Sequence, residues 1–151
     1  MTGVTYNGTP MIQVGQTING NEGTVAIYRL VNPPVGTANV VATFNNDANR
    51  GVVLGAISFS GVDQTTPLGI YTGNTGDSGT ASVNASSSSG ELVFDVVCWK
   101  NAGTLVSGAG QTQRWNVDSP DEIEGGDSTE PGAGTVTMSW TAANDRWAIG
   151  A

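Results

Sequence analysis

Thirteen carboxylates and no histidine set the chemical repertoire of this chain. Without an imidazole there is no Ser-His-Asp or Cys-His relay and no histidine-based metal site. The single cysteine, Cys98, can form neither an intrachain disulfide nor a thiolate zinc cage, and it falls in an apolar run where a buried, inert thiol is expected. Carboxylate-pair hydrolysis needs two acids roughly 5–10 Å apart in a cleft, and nothing in the spacing of the thirteen singles out such a pair. Asp63, in Gly-Val-Asp-Gln-Thr-Thr, reads as a turn acid that binds its own following amides. Asp95 reads as a partner of Arg or Lys on a sheet surface. No catalytic residue and no cofactor is therefore expected.

Two groupings remain. The stretch Asp118 to Glu130 holds six of the thirteen acids, and Asp118, Asp121, Glu122, Glu124 and Asp127 are oxygen ligands that could take Ca²⁺. Their spacing does not follow the Asp-x-Asp-x-Asp-Gly pattern, so a solvated acidic loop is the competing reading. The other grouping is aromatic. Trp140 shares an alternating face with Val136 and Met138, and Trp147 with Ile149, which marks both indoles as core. Trp115 differs, standing among Gln113, Arg114 and Val117 in a run that reads as an exposed strand. Gln113, Arg114 and Trp115 are thus candidates for contact with a protein partner or a glycan.

Charge narrows the partners further. Net charge is −8, and the five basic residues Arg29, Arg50, Lys100, Arg114 and Arg146 are dispersed along the chain. Nucleic-acid binding and polybasic membrane association both need clustered cations, so neither is expected. No apolar run reaches the ~18 residues of a membrane span, so no membrane insertion is expected, and Met1-Thr2-Gly3 leads into a strand pattern without a signal-peptide core.

The elements that must position these residues read as strands. At 151 residues the chain fits one domain, 1–151, with charged residues at only 12% and turn and strand formers in place of helix formers. Asn7-Gly8 between Val4-Thr5-Tyr6 and Thr9 to Val14 predicts a hairpin with a type I′ turn. Strands are expected over 24–31 and 39–44, then over Val52 to Phe59. That last run, apolar on both faces and closed by Gly61, Asp63 and Pro67, reads as the buried central strand. Residues 71–79 read as a loop, 81–85 as a strand, 91–99 as a second strongly apolar strand, and 104–107 and 111–117 as further strands. After the acidic loop come strands over 134–141 and 145–151. About ten short strands separated by turn signals predict an all-β, two-sheet antiparallel β-sandwich, jelly-roll or immunoglobulin-like, with a closed barrel as the alternative. Its expected core is Val53, Ile57, Phe59, Leu92, Phe94, Val96, Val136, Met138 and Trp140.

Five phrases carry a resemblance: Val-Thr-Tyr-Asn-Gly at 4–8, Tyr-Arg-Leu-Val-Asn-Pro-Pro at 28–34, Ser-Phe-Ser-Gly-Val-Asp-Gln-Thr-Thr-Pro-Leu-Gly at 58–69, Gly-Ala-Gly-Gln-Thr at 108–112 and Ser-Thr-Glu-Pro-Gly-Ala-Gly at 128–134. Together they resemble a β-sandwich module that recurs in large secreted or surface proteins of bacteria and archaea and in phage structural proteins. The resemblance implies a non-enzymatic structural or adhesive module, extracellular, on a cell surface or on a virion, acting through protein–protein contacts. A carbohydrate-binding module is the alternative. Members of that module begin one strand earlier and continue the last strand further, so the terminal strands here are expected to be frayed edges. Tyr6, Ile12, Trp147 and Ile149 are the apolar residues through which those edges are expected to build a homo-oligomer.

Overall fold

Glycine and asparagine punctuate the chain where a positive φ is required, and strands fill the intervals. In the computed structural model, which describes residues 1–119 and 122–151, Asn7 (φ 49°) and Gly8 (φ 76°) join β1 (Gly3–Tyr6) to β2 (Thr9–Pro10) as the type I′ turn predicts. The strands that follow are β3 (Ile12–Asn19), β4 (Gly23–Arg29), β5 (Val40–Thr43), β6 (Gly73–Ser86), β7 (Leu92–Lys100), β8 (Val106–Ser107), β9 (Thr112–Asp118), β10 (Ile123–Pro131) and β11 (Thr135–Gly150). Every pairing is antiparallel, and no helix occurs among the described residues. The protein is an all-β sandwich whose sheets do not close into a barrel.

One long strand makes the sandwich. The first half of β11 pairs with β6 and β8; its second half pairs with β6 again and with β7, after an irregularity between Thr141 and Asp145. This break shifts the alternation, so that Val136, Met138 and Trp140 point inward before it and Trp147 and Ile149 after it. The six-stranded sheet, β6-β11-β7-β10-β9 with β8 on β11, thereby folds over its own core, which adds Ala81, Val83, Val93, Val97, Trp99 and Leu105.

Several expectations are corrected here. The core face of β7 is Val93, Asp95, Val97 and Trp99. Leu92, Phe94 and Val96 lie on its outer face, with Leu92 exposed and the other two half-buried. Most of the span 71–79 is no loop: residues 73–79 form the first half of β6, where small residues are required because Trp147 packs on Gly76 and the Thr17 side chain on Gly73. From Ile123 onward the acidic stretch is strand β10, and Gly125 and Gly126 in it admit the Trp115 and Trp140 rings at close range. Val52 to Phe59 forms no strand at all. It runs without turn or bend across the outer side of the sheet, Val53 packed beside Val25, Cys98 and Ile123. Val52, Leu54, Ile57 and Phe59 stay exposed, so the expected burial fails with the expected strand: apolar residues on both faces report hydrophobicity, not a ladder partner, which is why this run misleads.

The hairpin β3–β4 covers the outer face of β7 and β11, and Gly23 seats against the Cys98 sulfur. An ionic knot fastens its turn. Glu22 Oε1 lies 2.7 Å from Arg146, and Oε2 lies 3.0 Å from Lys100 and 3.4 Å from Arg50, which also meets Glu122 at 2.7 Å. Three of the cations dispersed in sequence thus converge on one carboxylate.

Candidate binding cleft

Strand β9 bends where its register with β10 slips. Trp115 stands opposite Asp127 and Gln113 opposite Ser128, so Arg114 is the additional residue and projects beside Trp115. Across from them runs the segment Ala56–Ser60, held by an edge-on contact of Phe59 with Phe94 (ring centroids 6.1 Å, 74°) and by the Gly55 backbone against the Trp115 indole. A side chain at Gly55 would overlap that indole, so glycine is what permits the close approach. Between the two walls lies an open cleft of about 520 Å³ lined by Ala56, Ile57, Ser58, Phe59, Ser60, Leu92, Arg114 and Trp115.

Its chemistry is that of a binding site. The apolar side chains of Ala56, Ile57, Phe59 and Leu92 share the lining with one cation, and no acidic side chain lines the cleft. Arg114 Nε donates to Thr129 Oγ1 at 2.9 Å, which fixes the arm, and no carboxylate among the described residues lies within ion-pair distance of its guanidinium. Beneath Trp115 sits Asp127, 2% exposed. Burial pushes its carboxyl up to about 6, while the Trp115 indole and backbone N–H groups and the Arg114 charge work against that rise. Neither Asp127 Oδ1 nor the Trp115 indole N–H completes a hydrogen bond of good geometry, which leaves two buried polar atoms under the cleft floor.

On the inner face a second carboxylate is fully satisfied. Asp95, wholly buried, accepts from the Ser128 N–H (2.8 Å) and Oγ–H (2.7 Å) through Oδ1, and from the Trp140 indole N–H (2.7 Å) through Oδ2. It has no Arg or Lys partner, contrary to the reading from sequence, because its strand parity turns it into the core. Burial pushes it up to about 6 against those three hydrogen bonds. Asp63 does serve its turn, accepting from the Thr65 and Thr66 amides, which lower its carboxyl pKa.

The remaining candidates separate. Gln113, opposite Ser128, does not line the cleft beside Arg114 and Trp115. Of the Ca²⁺ candidates, Asp121 lies outside the described residues, Glu122 pairs with Arg50, and Glu124 accepts from the Ala102 N–H at 2.8 Å. Strand alternation puts Glu124 and Asp127 on opposite faces of β10, and no acidic cluster suited to a metal occurs among the described residues. Trp147 and Ile149 are not frayed: β11 is flanked by β6 and β7, and both side chains are buried. Tyr6 donates its hydroxyl to the Gly36 carbonyl, and Ile12 is exposed. The part of the cleft that the sequence did not reveal is its second wall, since Ile57 and Phe59 carry the alternation of a buried strand.

No family model matches this chain, and no curated protein and no solved structure matches it. The site stands on its geometry alone.

Proposed function

We propose that the chain is a non-enzymatic structural or adhesive module of a virion, cell-surface or other extracellular assembly, working through protein–protein contacts and including contacts with its own copies. One observation carries the reading. The segment 52–70 displays Val52, Leu54, Phe59, Leu68 and Ile70 to solvent, Leu54 at 52% and Ile70 at 84% exposure, along a connection with no strand to protect. Single exposed apolar residues are ordinary; a succession of them on one ordered segment is the mark of a surface covered in the assembled state. The absence of histidine and the resemblance noted from sequence support the same reading. A glycan platform at Trp115 is less well supported, because the Gly55 backbone occupies part of the indole that a sugar ring would stack on.

Light scattering across a concentration series tests it. The protein is expected to associate as concentration rises, and the double substitution Leu54→Ser with Ile70→Ser is expected to suppress that association while leaving the circular dichroism spectrum unchanged. A wild-type protein that stays monomeric over the whole micromolar range, alone and with extracellular matrix or envelope fractions, would overturn the reading.

A further inference from the structure

Resting on that reading, the geometry points to the kind of partner the cleft accepts: we propose that an extended apolar peptide of a partner protein lies along Ala56–Ser60, its side chains on Ile57, Phe59 and Leu92 and its terminal carboxylate on Arg114. Three independent features converge on this occupant.

The first is the backbone. From Gly51 to Phe59 the chain runs without turn or bend, and no hydrogen bond from the backbone N–H or C=O groups of 56–60 is found among the described residues. A run of unpaired peptide groups along a cleft wall, free of turn or bend up to Phe59, is a template for an added strand, whose main-chain ladder supplies affinity. The second is side-chain spacing. Ile57 and Phe59, two residues apart, offer apolar side chains at the interval with which a strand presents alternate side chains, and Leu92 of β7 adds a third to the lining. The third is charge. Cleft walls free of acids surround one guanidinium that is braced through Nε; no carboxylate among the described residues is within ion-pair distance of it, and the buried Asp127 beneath Trp115 acts on it only at longer range, within a chain of net charge −8. A planar guanidinium beside an apolar surface recognises a carboxylate, and a peptide C-terminus joins that carboxylate to an apolar strand. An acidic sugar would offer the carboxylate without the strand, leaving the peptide groups of 56–60 unmet.

Synthetic Thr-Val-Thr-Val-Val with a free C-terminus is the probe, titrated into the full chain while backbone amide shifts are followed. The expected result is saturable movement of the amides of 56–60, with affinity reduced about tenfold or more both for the C-terminally amidated peptide and for the Arg114→Gln protein, the size of a lost charge-assisted hydrogen bond. Leu92→Ser, at an exposed position outside the ladder wall, is the second variant and is expected to weaken binding with the unfolding midpoint unchanged. Equal affinity for the amidated peptide, unmoved 56–60 amides, or preference for glucuronic acid over the peptide would each overturn the proposal. If concentration-dependent association persists while the peptide fails, the cleft assignment alone is lost; if both fail, the assembly reading is lost with it.

Discussion

Asp95 shows how one side chain acquires a role opposite to its usual one. Sequence places a charged residue in an apolar strand, and the ordinary inference is a surface ion pair; parity instead buries it, where it binds three donors that would otherwise be orphaned. The shift from 3.8 to about 6 means that its charged form costs on the order of 3 kcal/mol at neutral pH. Trp140 carries part of the compensation, so Trp140→Phe, which keeps most of the ring volume, removes a hydrogen bond to the charged form and raises the carboxyl further. The expected destabilisation is about 2 kcal/mol greater near pH 8 than near pH 4.5, measured by denaturant melts at both values. An equal loss at the two values would show that the indole N–H does not stabilise the carboxylate.

At the scale of elements, the hairpin at Asn7-Gly8, the strands over 40–43 and 92–100, and the inward face of Val136, Met138 and Trp140 were all legible in the sequence, because turn chemistry and strict alternation are local signals. Three things were not. Gly73 to Gly79 looks like a loop until Trp147 and Thr17 are seen to need the space that its glycines leave. The acids of 123–131 look solvated until two neighbouring strands are seen to enclose them. The apolar run at 52–59 looks central until β7 and β11, apolar on both faces themselves, are seen to hold that place. Each depends on a neighbour distant in sequence. For the cleft, Arg114 and Trp115 were visible as candidates, whereas the bulge that removes Gln113 from their side was not. The face of β7 can be tested by paired truncations. Phe94→Ala, on the half-buried outer face, is expected to cost about 1–2 kcal/mol, and Trp99→Ala, on the core face of the same strand, about 3–5 kcal/mol by urea unfolding; a reversed order would invalidate the face assignment.

The whole molecule balances two sets of carboxylates with opposite leanings. Asp95 and Asp127, raised by burial, burden the fold above about pH 6, and that burden lifts as pH falls toward their unfolded value of 3.8. Glu22, lowered by Lys100, Arg50 and Arg146 around it, and Asp63, lowered by its turn amides, contribute stability present above their unfolded values and lost as pH falls through their folded ones. Acidification also relieves the self-repulsion of a chain at −8. The thermal midpoint is therefore expected to rise from about pH 8 to about pH 5 and to fall again below about pH 4; a monotonic decline on acidification would contradict the burial of the two aspartates. One further consequence follows from the seat of Gly23 on the Cys98 sulfur. With the thiol pushed up to about 11 by burial and covered by the β3–β4 hairpin, it cannot meet an alkylating reagent while that hairpin is docked. The lone thiol is thus a natural clock: the rate at which it is alkylated counts how often the hairpin lifts, and the Glu22 knot sets its pace.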